Sequence, residues 1–122
     1  MKLQSLRILI LLLFVVFISV GCKKDAPPVI KKFGPTKTMA GQGFNIQPDG
    51  VSAMWVKAAN VTDTTVIVWG DRRIPTFRDP KDSDIITAPI TKELYAKPGQ
   101  YQIYLLDTKT GAKSNSGAFI VK

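Results

Sequence analysis

Pro98-Gly99-Gln100-Tyr101-Gln102-Ile103-Tyr104-Leu105-Leu106 is the stretch on which the reading of the fold turns. A Pro-Gly turn delivers the chain into a run whose side chains alternate between two faces, as strand side chains must. Tyr101, Ile103 and Leu105 fall on one face; Gln102, Tyr104 and Leu106 fall on the other. Apolar residues on both faces predict a central strand covered at least partly on each side. Proline at a strand entry costs no ladder hydrogen bond, and Gly99 is expected to take the positive φ of a tight turn.

Outward from that run the same grammar repeats. Val66 and Val68 oppose Ile67 and Trp69, and short segments rich in Val, Ile, Tyr and Phe recur between clusters of Gly, Pro, Asn and Asp. No long apolar stripe of helical period is present in the domain. Strands are predicted at 29–33, 43–47, 53–58, 65–69, 85–88, 101–106 and 118–121, with turns such as Pro48-Asp49-Gly50, Gly70-Asp71 and Thr110-Gly111 between them. Residues 91–96 read as a single helical turn connecting two strands. About seven strands predict an all-β sandwich, with Phe119 and Val121 alternating inward and Trp55 as its bulky core residue.

The first 22 residues carry a different message. Lys2 and Arg7 precede an unbroken apolar run at 8–18 that ends in Ser19-Val20-Gly21-Cys22. The run is about half the roughly 20 residues a bilayer span requires, and it stops at small residues. It therefore reads as a lipoprotein signal peptide over 1–21, cleaved before Cys22, with the Cys22 thiol carrying lipid. Lys23-Lys24-Asp25-Ala26-Pro27-Pro28 reads as a tether that buries nothing, so the domain is expected at 29–122. Lys23 stands where an acidic residue would signal inner-membrane retention, so an outer-membrane destination is expected in a two-membrane host.

Composition excludes much chemistry. The chain has no histidine and a single cysteine, which removes Ser-His-Asp and Cys-His catalysis, His-ligated zinc and any internal disulfide. No phosphate-binding glycine loop or serine-nucleophile motif occurs. Formal charge is +8, with 17 basic residues dispersed among nine acidic ones, a balance that favours solubility over nucleic-acid binding. No cofactor or metal is expected. Asp79, Asp82 and Asp84 crowd one loop but lack the glycine and bidentate glutamate of a calcium loop, and Arg78 and Lys81 offset them.

Several motifs resemble the IPT/TIG domain, an immunoglobulin-like sandwich. These are Pro28-Val29-Ile30 with Pro35 and Gly41, then Val66-Ile67-Val68-Trp69-Gly70, then Ile86-Thr87-Ala88-Pro89, Pro98-Gly99 and Phe119-Ile120-Val121. The resemblance spans 28–122 and implies a fold of about seven strands; its motifs mark turns and core positions, not chemistry. Two segments depart from the family pattern: Phe44 to Gly50 leads into an unusually apolar Ser52-Ala53-Met54-Trp55-Val56, and the segment 74–84 is long and charged. A surface specific to this protein is expected there.

The functional expectation is a non-catalytic domain, membrane-bound through Cys22, that engages another envelope protein through loops or an edge strand. The alternative is a carbohydrate-binding module with Trp69 as an exposed stacking platform beside Arg72 and Arg73.

Overall fold

The computed structural model describes residues 26–122; Cys22 and the expected signal peptide lie outside them. Among the described residues two β-sheets pack face to face. One contains β1 (Val29–Gly34), β3 (Ser52–Ala59), β6 (Phe77–Arg78) and β7 (Ile85–Ile90) in the order β1-β3-β7-β6. The other contains β2 (Lys37–Thr38), β4 (Thr65–Trp69), β5 (Arg72–Ile74), β8 (Gly99–Asp107) and β9 (Gly117–Val121) in the order β2-β9-β8-β4-β5. The fold is an all-β sandwich, with a 3-10 turn at Lys92–Tyr95 where a connecting turn was expected. The strand that decides the reading, β8, is indeed the central strand of its sheet.

Three short strands, β2, β5 and β6, were not anticipated, and one anticipated strand is absent. The segment 43–47 is a loop, because Asn45 adopts a positive φ of 43° and its neighbours bond to side chains in place of a ladder. The Phe44 amide donates to Ser52 Oγ at 3.0 Å, and Asn45 Nδ2 donates to the Ala53 carbonyl at 3.2 Å. Phe44 still enters the core, packing edge-on against Tyr95 with ring centroids 5.1 Å apart. Gly99 does not need a left-handed backbone either: it pairs with Val121 as the first residue of β8.

Strand parity decides which side chains form the core. In β3 the residues Ser52, Met54, Val56 and Ala58 are buried, and their partners across β7 include Ile86, Ala88 and Ile90. Trp55 has the opposite parity and lies on the outer face, which corrects its expected core role. In β4 it is Thr65, Ile67 and Trp69 that point inward, and Trp69 is only 2 % exposed. Its ring sits 4.6 Å from Phe119 and 5.6 Å from Tyr101, between centroids, so the indole fills the space expected of Trp55.

Polar clamps fix the loops. Asp107 accepts hydrogen bonds from Thr64 Oγ1 at 2.7 Å, the Lys109 amide at 2.9 Å and Thr62 Oγ1 at 3.2 Å, tying the β3–β4 loop to the end of β8. Asn115 plays the part of a neighbouring strand: its Oδ1 accepts from the Ile30 amide at 2.8 Å and its Nδ2 donates to the Ile30 carbonyl at 3.1 Å. Between β5 and β6 the chain crosses from one sheet to the other. Thr76 secures the crossing, accepting from the Ile67 amide at 2.9 Å and donating to the Ile74 carbonyl at 2.8 Å.

Candidate functional site

That crossing places Phe77 at the edge of the four-stranded sheet, opposite Thr87, and Thr87 in turn pairs with Trp55. The three side chains share one row on the outer face. Two inter-strand spacings separate the outer members, roughly 10 Å. Phe77 is 61 % exposed, more than the other exposed large apolar side chains on strands, Val29 and Ile120. Trp55 lies over Gly34 of β1, where a Cβ would stand 2.7 Å from the indole Cζ2. Glycine at that position is what lets the ring settle against the backbone and keep its outer side toward solvent.

This row floors an open groove of about 610 Å³. The loop preceding β3 frames one end, where Asn45, Gln47 and Asp49 line the opening. Hydrogen bonds hold the loop in shape: Gln47 Nε2 donates to the Asn45 carbonyl at 2.9 Å, and Asp49 Oδ1 accepts from the Val51 amide at 3.0 Å. Asp79 frames the other end, its amide donating to the Ile85 carbonyl at 2.9 Å while its Oδ1 accepts from the amides of Lys81 and Asp82. Each aspartate thus uses one carboxylate oxygen to shape a turn. Ala53, Ile85 and Pro89 complete the floor.

The two segments marked in the sequence as specific to this protein, 44–56 and 74–84, therefore meet on one surface. Phe77, Thr87 and Trp55 were not singled out as ligand-facing in the sequence, because nothing local states that β6 pairs with β7. The available signal was the pair of departing segments themselves.

The expected site residues separate. Trp69 is buried, so it offers no stacking platform, and this corrects the exposure assigned to it. Its Nε1 is buried without a hydrogen-bond partner among the described residues. Arg72 does border the same small cavity of about 190 Å³ as Trp69 and Tyr101, where its guanidinium meets Glu93 at 3.2 Å. Arg73 pairs opposite Val68, on the other side of the strand from Arg72, and does not join them. Arg78 is drawn away to Asp63 at 3.0 Å and to the Val61 carbonyl. Arg72 and Arg78 are thus held by different acidic partners.

Asp79 and Asp82 serve turns with their carboxylates, Asp82 Oδ1 accepting from the Asp84 amide at 3.0 Å. Among the described residues no group of three or more acidic, cysteine or histidine side chains is arranged to hold a metal ion. The Asp107 carboxyl is held below its ordinary value by the Thr64 hydroxyl first, then by the Lys109 amide, against an opposing effect of burial. A carboxylate stabilised in its charged form by a hydroxyl and a backbone amide is an anchor, the reverse of the raised pKa that a general acid requires.

No family model matches the chain, and no curated protein matches it in sequence.

Proposed function

We propose that this protein is a non-catalytic binding domain of the immunoglobulin-like IPT/TIG type, held at the cell envelope by lipid on Cys22, that engages another envelope protein. The observation that carries the reading is the convergence of the two departing segments on one open groove, with Trp55 and Phe77 set across its floor. An aromatic pair on a rigid sheet, Phe77 exposed and Trp55 half-buried, supplies contact area at little conformational cost, which is the usual character of a binding hot spot.

The groove supports this better than the sheet edges do. β2, β5 and β6 are two or three residues long, and the longer edge strand β1 has Ile30 engaged by Asn115 and carries the exposed Lys31 and Lys32. Capped, charged or short edges resist strand addition. Face binding is the alternative that remains on this surface.

The test is a photoreactive residue at position 77 of the full lipid-anchored chain in native membranes. The expected result is a stoichiometric adduct with one envelope protein that disappears when Trp55→Ala is added; an adduct insensitive to Trp55→Ala counts against the reading. A glycan ligand is the second reading, favoured by the placement of the Trp55 indole on the outer face beside Gly34, where an aromatic ring can serve as a sugar-stacking platform. It predicts sugar-dependent retention by the protein after every protein partner has been removed.

A further inference from the structure

We infer that the groove recognises an extended, positively charged segment of the partner polypeptide; the inference rests on the reading of the groove as the partner-binding surface. Its basis is charge. In a chain of formal charge +8, the groove is lined by two carboxylates, Asp49 and Asp79, and by no lysine or arginine among the described residues. Lys57, on the same outer face of β3 as Trp55, pairs with Ile85 and so flanks the Asp79 end of the groove, but it is not among the residues that line it. Arg78, beside Phe77 in sequence, is held by Asp63. An acidic groove on a basic protein attracts cations and turns away the polyanions that the rest of the surface would attract.

Geometry adds the extended shape. Asp79 stands at the Ile85 end of β7 and Asp49 beside the loop at its Pro89 end, and these two ends are four residues apart along the strand. At strand rise that is about 13 Å, the length of four extended residues. Between them lie Trp55 and Phe77, whose aromatic faces accept both aliphatic stems and cationic heads. A segment with basic side chains about four residues apart would place one cation near each carboxylate and its middle on the aromatic row. Each aspartate spends Oδ1 on its own turn, while Oδ2 makes no hydrogen bond among the described residues.

The probe is a blocked pentapeptide with lysine at both ends, serine second and fourth, and valine at the centre, compared with the same peptide carrying norleucine at both ends. The readout is the indole N–H resonance of Trp55 in the detergent-solubilised full chain, with the Trp69 resonance as internal control. The lysine peptide should shift Trp55 saturably and bind about tenfold tighter than the norleucine peptide, the product of two exposed ion pairs of roughly threefold each. Asp49→Asn with Asp79→Asn should erase that difference, because asparagine keeps each turn acceptor and removes only the charge.

Equal binding of both peptides overturns the charge recognition and leaves the groove as a binding surface. Absence of any Trp55 shift up to about 10 mM peptide overturns peptide occupancy, and the position-77 adduct then decides the broader reading separately. A Trp55 shift that depends on protein concentration alone names a second copy of this chain as occupant and overturns the assignment to a different partner.

Discussion

Trp55 stands in the middle of β3 and Trp69 at the end of β4, and the sandwich uses them in opposite ways. Trp69 is buried between Phe119 and Tyr101, while Trp55 lies on the outer face over Gly34. Neither residue type nor local hydrophobicity separates them. Parity does: Met54, Val56 and Ala58 claim the inner face of β3, so Trp55 must point out, whereas Ile67 and Trp69 share a face in β4. The lesson is that a tryptophan's role on a strand is set by which of its neighbours the opposite sheet demands.

The sharpest way to break this contrast is truncation. Trp69→Ala should cost about 3–5 kcal/mol, a large share of the stability of a domain this size, and chemical denaturation measures it. A loss below about 1 kcal/mol would mean the ring is not the core residue described.

A second measurement attacks the other tryptophan from beneath. Gly34→Val places a Cβ within 2.7 Å of the Trp55 indole and must lift the ring from the sheet. Such overpacking should cost about 1–3 kcal/mol and change Trp55 emission while Trp69 emission stays fixed. Unchanged emission would show that the indole does not depend on the glycine.

Trp55→Ala should cost only about 1 kcal/mol, because the ring covers backbone on an open face and leaves no enclosed cavity. Comparable losses at both tryptophans would dissolve the contrast and make Trp55 a core residue after all.

The smallest expected effect concerns the clamp at the far end of β4. Asp107 has a lowered folded pKa, so it contributes stability above the ordinary carboxylate value of 3.8 and loses it as pH falls through its lower folded value. Thermal midpoints measured from pH 7 downward should fall below about pH 4, and Asp107→Asn should lower the midpoint at neutral pH while flattening the acid limb. An acid limb unchanged by the substitution would assign the loss to other carboxylates.

Much of the fold was legible because alternation is a local property. Tyr101 to Leu106 reads as a doubly covered strand and becomes the centre of its sheet; Phe119 and Val121 read as inward and are buried. The misreading at 43–47 has a specific cause. Phe44 and Ile46 mimic alternation, but only Phe44 is buried, and Asn45 turns the chain with a left-handed φ that the apolar pattern does not report. The short strands β5 and β6 were missed for a related reason: three and two residues are too few for a period to show, and Thr76 rather than any apolar residue directs the chain between the sheets.

By itself the sequence determined an all-β chain, the central strand and the inward residues of β9, since turn chemistry and a period of two are written in consecutive residues. It also marked the two segments from which the groove is built. Only the tertiary structure decided that they meet, that Phe77 stands in line with Thr87 and Trp55, and that Trp69 and not Trp55 fills the core. Alternation tells which residues share a face but not which face is inside. That choice is made when two sheets close on each other and bury the sides that pack together best.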